Sequence, residues 1–195
     1  MHIDKHNFIE DFLQNMTLEK LMKSRIITIF GEINQHLAQQ VTEKLLLLAE
    51  ESEESIRLII NSQGGHVEAG DTIFDMIQFV EPRIRVLGTG WVASAAALIF
   101  SATPLERRYC LPNTRFLLHQ PSGGVMGVAS DIDIEAREII KMKQRLVEII
   151  ARQTGQPVEK VKADTERNYW MSAQEAQEYK LVGSIIQNLD QLKKI

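Results

Sequence analysis

At 195 residues, with 44% hydrophobic and 25% charged side chains, the chain has the size and balance of one ordinary globular domain that supports its own core. Cys110 is the one cysteine, which excludes an internal disulfide and fits a reducing, cytoplasmic setting. A net charge of -4 with scattered Lys and Arg gives no nucleic-acid footprint or basic membrane face, the opening MHIDKHNFIEDF lacks a secretory pattern, and no run reaches the ~18 apolar residues that span a bilayer.

Residues from about Asn7 to Lys23 carry Phe8, Phe12, Leu13, Met16 and Leu21 at mixed helical spacing. This predicts a short amphipathic helix, with residues 1–24 an arm rather than core and residues 25–195 a single domain. RIITIFGEI (Arg25 to Ile33) is β-branched and reads as a strand, and HLAQQVTEKLLLLAEES follows as a helix. IRLIINSQGG (Ile56 to Gly65) is a buried strand running into a glycine turn, and HVEAGDTIFDMIQFVEP is a helix that stops before Pro82. IRVLGTG is a third strand, and the small residues from about Val92 to Ser101 form the next helix. Strands alternating with helices predict an α/β fold with a parallel sheet and crossover helices. RFLLHQPSGG reads as a strand ending at His119, followed by a Gly-rich loop. The stretch DIDIEAREIIKMKQRLVEIIARQT, about Asp131 to Thr154, predicts a helix long for a domain of this size, one that projects to meet another subunit. SAQEAQEYKL (Ser172 to Leu181) is a capped helix, and the end reads as a short strand and a polar tail.

Ser94 lies in GTGWVASAAALIF, where a strand ends in GTG and a helix begins. A serine among alanines also serves close helix packing, its hydroxyl bonding back to the preceding turn. At the carboxyl end of a parallel strand, however, exposed amides favour a developing anion. Val92 and Ala96 stand where the G-x-S-x-G elbow has glycines, so that motif is absent. Of the 5 histidines, His119 alone stands between a buried strand and a loop, the place for a general base as well as for a structural histidine. Gly64 and Gly65 of SQGG let backbone approach a ligand, or make a simple turn.

NSQGGHVEAG, GWVASAAA, YCLPNTRFLLHQPSGG, DIDIEAREI and DTERNYWMSAQEAQEYKLV, in this order and spacing, resemble the ClpP family, the proteolytic subunits of the ATP-dependent Clp protease. The likeness runs from about Arg25 to Ile186. It implies a ClpP/crotonase-like α/β fold with a long handle helix, and a serine endopeptidase assembled as two stacked heptameric rings around a chamber. Ser94 would be the nucleophile, His119 the base, Asn168 the third triad member, and Gly65 and Ala95 the oxyanion amides. Gly123, Gly124, Val125, Met126 and Gly127 would bind substrate backbone as an added strand, and Arg167 would make ring contacts. The resemblance implies no metal and no cofactor in this subunit. ATP is used by an AAA+ unfoldase such as ClpX or ClpC, which feeds unfolded proteins to the rings; neither nucleic acid nor membrane is a partner.

The chain departs from the family pattern in three respects. Asn168 stands where the family has Asp, and a neutral amide orients the histidine but cannot stabilise an imidazolium. Arg57 and Ile59 replace aromatic residues of the ATPase-docking pocket, where Phe79 remains; a charge there costs desolvation and weakens docking. The helix-like N-terminus likewise departs from the family's apolar strand and axial loop. The expected protein is a weak Ser-His-Asn peptidase, activated in a mixed assembly with a second, more standard ClpP paralogue. A non-catalytic structural ring subunit is the alternative, and a crotonase-type acyl-CoA enzyme is a third reading that leaves HQP and the serine motif unexplained.

Overall fold

A computed structural model describes residues 5–80, 82–121, 124 and 126–193. α1 (Lys5–Lys23) leads into β1 (Ile26–Ile33), α2 (Gln35–Glu51), β2 (Ile56–Gly65), α3 (Val67–Phe79), β3 (Ile84–Ala93) and α4 (Ala95–Phe100). After a single 3₁₀ turn come β4 (Arg108–Cys110), β5 (Arg115–Leu118), α5 (Ala129–Thr154), α6 (Val158–Asp164), β6 (Tyr169–Met171), α7 (Ala173–Glu178), β7 (Ser184–Ile185) and α8 (Leu189–Lys193). The sheet has 7 strands in the order β1-β2-β3-β4-β7, with β5 branching from β3 and β6 pairing with β5. Every pairing is parallel except β5 with β6.

The helices form because their apolar residues recur at the helical period. α2 buries Ala38, Val41, Leu45 and Leu48, and its amino end is capped by the Asn34 side chain accepting from the Leu37 N–H. α3 turns Ile73, Phe74 and Ile77 inward. Between the helices, Ile27, Ile29, Leu58, Ile60 and Val86 are buried in one continuous core. Each such side chain stabilises the fold by roughly 1.5–3 kcal/mol.

Strand β3 forks along its length. Val86 to Gly88 pair with β4, and Trp91 to Ala93 pair with β5, so β3 runs past the expected end at Gly90. The predicted helix over Val92 to Ser101 therefore begins later, at Ala95: ladder bonds to Phe116 and Leu117 claim Val92 and Ala93 for the sheet. The expected helix from Asn7 becomes α1. Over residues 13–23, Leu13, Met16 and Leu18 are exposed, and Leu21 and Met22 at the end of the helix are half-buried.

The long helix is present and stands off as expected. Residues 131–138 are all exposed, whereas Val147, Ile150, Ala151 and Thr154 are buried. Gly155 ends the helix in the left-handed conformation at φ 68°. Ser172 caps α7 in a capping box with Glu175. β4, β6, α6 and α8 were not expected from the sequence, the stretch after β7 having read as a polar tail. No described helix is long and apolar enough to cross a membrane.

Candidate active site

Ser94 is the residue between β3 and α4. Its N–H donates to Leu117 O of β5 at 2.9 Å, and its carbonyl accepts from the N–H groups of Ala97 and Leu98. These bonds hold it at φ 57°, ψ -123°, a region that costs a non-glycine residue on the order of 1–3 kcal/mol. The strand thus turns sharply into the helix and leaves the Ser94 side chain half-buried at the carboxyl edge of the sheet.

Gly64 fits directly under that turn. At φ 92°, a Cβ there would lie 2.7 Å from Ala93 O and from Ser94 Cβ, and 3.1 Å from the Ala95 nitrogen. Gly65 follows at φ 153°, where a Cβ would collide with Ile33 O. The SQGG turn is therefore a close approach of backbone to backbone beside Ser94. Ala95 is the first residue of α4, so its N–H has no acceptor within the helix. His66, to which the sequence alone assigned no role, caps α3 through Nδ1 accepting from the Ala69 N–H at 3.3 Å.

His119 and Asn168 meet through the antiparallel pairing of β5 and β6. Leu118 pairs with Tyr169, so the next residue on one strand, His119, lies across from the preceding residue on the other, Asn168. On the second side, Ser94 follows Ala93, which pairs with Leu117. Two adjoining hollows express the same order: Ser94 and His119 line the first, and His119 and Asn168 line the second. Burial holds the His119 imidazole below its usual range, which favours the neutral form a general base needs. Asn168 is exposed. Among the described residues, no hydrogen bond joins the Ser94 hydroxyl, the His119 ring and the Asn168 amide.

The nearby carboxylates are occupied elsewhere. Asp164 accepts from Lys160 at 2.6 Å and from the Tyr179 hydroxyl at 2.9 Å. Glu166 pairs with Lys143 at 2.7 Å, and that ammonium lowers its pKa. The loop itself is fastened to the histidine strand, since Gln120 donates through its backbone to Thr165 O and through its side chain to Glu166 O. Arg167 is exposed beside it.

The floor of the Ser94 hollow comes from α5: Leu146, Val147 and Ile150, with Val67 and Leu98 opposite and Lys143 at the same opening. Sequence reasoning missed these lining residues. Their spacing of three and four places them on one helical face with Lys143, so the signal was present in the periodicity. Of the five residues expected to hold substrate backbone, Gly123 and Val125 lie outside the described residues. Gly124 and Gly127 are exposed and Met126 is 97% exposed, on the segment leading into α5.

The residues expected at the docking pocket lie apart from this end. Arg57 and Ile59 are half-buried on β2, and Phe79 at the end of α3 is 73% exposed. Among the described residues, no group of three or more His, Cys, Asp or Glu is placed to hold a metal ion.

Residues 11–189 match the Clp protease family. The chain is 61% identical over 170 residues to "ATP-dependent Clp protease proteolytic subunit 3" of Rhizobium johnstonii, covering 87% of this chain and 88% of that one. It is 60% identical over 176 residues to "ATP-dependent Clp protease proteolytic subunit 2" of Gluconobacter oxydans, covering 89% and 79% of the two chains. Among solved structures, ClpP1 of Listeria monocytogenes superposes with a TM-score of 0.82 at 49% identity, covering 90% and 99%. An asparagine-to-aspartate mutant of the same ClpP1 superposes at 0.84 with 50% identity, covering 89% and 98%.

Proposed function

The chain belongs to the Clp protease family, as a ClpP-type proteolytic subunit, and from that premise we propose that Ser94, His119 and Asn168 form a serine endopeptidase site, weak alone and competent in a mixed ring assembly. The observation that carries this reading is the strained turn at Ser94, φ 57° and ψ -123°. A subunit kept only for architecture gains nothing from that conformation, whereas a nucleophile gains exposure at a sheet edge beside backbone amides.

The chemistry derives from the placement. His119, kept neutral by burial, removes the Ser94 proton as the hydroxyl attacks a peptide carbonyl. The N–H groups of Gly65 and Ala95 receive the oxyanion. His119 then returns the proton to the leaving amine, and water repeats the sequence to release the acyl group. The Asn168 carbonyl oxygen orients the imidazole but brings no charge to the imidazolium. Asp164 and Glu166 do not replace it, because both are held by other groups. Burial without a carboxylate makes the imidazolium costly, so the isolated subunit is slow.

The assembly part of the reading rests on the projecting half of α5 and on the names of the relatives. Those names number the proteolytic subunits, 3 in one relative and 2 in the other. In this chain, Arg167 and the Asn168 loop lie exposed, where a neighbouring subunit would press them toward His119. The substrates would be unfolded polypeptides delivered by an AAA+ ATPase, held as an added strand by residues 123–127, in the cytoplasm and without a cofactor in this subunit.

Asn168→Asp tests the site. Peptide hydrolysis should rise at least tenfold, with about 10⁴ as the ceiling set by the corresponding change in chymotrypsin-type enzymes. Unchanged hydrolysis, in an assembly of unchanged size by sedimentation, would remove the triad from the account.

A further inference from the structure

We propose that a further hollow beside Ser94, walled by His66 and Glu68, receives a Lys or Arg side chain from the third substrate residue before the bond that is cut. This rests on the peptidase reading of Ser94 and names what its substrate carries. The hollow has a volume of about 200 Å³ and lies between the turn from Gly65 to Glu68, Pro121, and Ile139 and Met142 of α5. It shares Val67 and Pro121 with the Ser94 hollow, so the two adjoin.

The mechanism fixes which half of the substrate reaches it. His119 returns its proton to the leaving amine, so the leaving half lies toward the hollow that His119 shares with Arg167 and Asn168. The His66 hollow contains none of these residues and includes Gly65, whose N–H is assigned to the oxyanion; it therefore lies on the acyl side. In an extended peptide, alternate side chains point to the same face about 6.6 Å apart. On α5, Met142 lines the His66 hollow and Leu146 lines the Ser94 hollow. Four residues of helix put these two on one face, about 6 Å apart along the axis. The two hollows thus match the spacing of the first and third side chains before the scissile bond.

The wall chemistry selects a cation. Because His66 Nδ1 accepts from the Ala69 N–H, the proton of the neutral ring sits on Nε2, which faces Glu68 Oε2 at 3.5 Å. The helix cap fixes the ring, and the ring holds the carboxylate at the hollow. Among the described residues, no Lys or Arg pairs with Glu68. The nearby cations of α5 are taken: Lys141 by Glu138, Lys143 by Glu166 and Arg145 by Asp71. Val67, Ile139 and Met142 are half-buried and give the methylene stem of a Lys or Arg an apolar wall while its head reaches Glu68. An acidic side chain would instead meet Glu68 and, one turn further along α3, Asp71. Glu68 is exposed, so the pair confers a selectivity of several fold rather than tight binding.

The test uses three peptidyl phosphonates, acetyl-Xaa-Ala-Leu with Lys, norleucine or Glu as the first residue, on the full chain mixed with a standard ClpP paralogue. Mass spectrometry follows the rate of labelling on Ser94 and separates it from the paralogue's serine. The Lys probe should label at least threefold faster than norleucine and at least tenfold faster than Glu, and the differences should shrink as salt rises. Glu68→Lys should invert the order of the Lys and Glu probes, whereas Glu43→Lys, the same charge change on α2, should not. The comparison among probes needs no variant, so it holds even where a variant folds poorly. Equal rates for the three probes, or an unchanged order in Glu68→Lys, would overturn the subsite and leave the peptidase reading standing. No labelling by any probe, with ring formation confirmed, would overturn the peptidase reading and the subsite with it.

Discussion

Residues 92–100 and residues 129–140 are both well supplied with apolar side chains, yet the chain treats them differently. From Val92 to Phe100, every residue is buried except half-buried Ser94, whereas Ile132, Ile134 and Ile140 are 40%, 58% and 63% exposed. The first region is completed by its own chain: β5 pairs with β3, Gly64 presses under the turn, and the far half of α5 closes the hollow. The second has no covering element among the described residues. On the proposed reading, the nucleophile is built within one subunit, while the surfaces around Asn168 and the start of α5 await another.

That contrast can be broken at several points. The largest effect is expected from Ser94→Ala, which should lower peptide hydrolysis in a mixed assembly by about 10³-fold or more while leaving the thermal midpoint nearly unchanged. Hydrolysis that survives would move the chemistry to the partner subunit. Next comes Ile150→Ala, which hollows the pocket floor and should cost about 2–4 kcal/mol in denaturant unfolding, because the side chain is 5% exposed. By contrast, Ile134→Ala should change unfolding by less than about 0.5 kcal/mol yet weaken assembly in sedimentation velocity. Equal unfolding costs for the two would erase the distinction between the halves of α5.

The pH profile sharpens the same comparison from the side of the base. In the proposed mechanism His119 accepts the Ser94 proton only when neutral, so activity should be lost as pH falls through its pKa. Burial lowers that pKa, which places the acid limb of kcat/KM below the ordinary value of 6.5. In Asn168→Asp, a carboxylate favours the imidazolium, so the limb should move upward. A wild-type limb above 6.5 that stays in place in the variant would contradict the assignment of His119 and Asn168 to one site.

Much of this was legible in the residues. The β-branched runs at Ile26 to Ile33 and Ile56 to Gly65 are strands because their buried faces leave no other choice, and the strong period of α5 marked it along most of its length. β4 and β6 were not legible, since three residues each, RYC and YWM, carry no period. That loss mattered: β6 is the element that sets Asn168 across from His119, a relation only long-range pairing provides. The boundary at Ser94 was misplaced for a similar reason. Small residues suit a helix locally, but ladder bonds to β5 hold Val92 and Ala93 in the sheet. At the opposite end, Arg57 was visible as an oddity.

The central claim, a site built in one subunit and aligned by another, is tested most directly by a serine-reactive phosphonate. The purified protein would be treated alone and after mixing with a standard ClpP paralogue, and the added mass sought on Ser94 by mass spectrometry. Labelling in the mixture, absent or much slower in the protein alone, is the predicted result. No labelling of Ser94 in either sample, with ring formation confirmed, would contradict it and leave a structural subunit in its place.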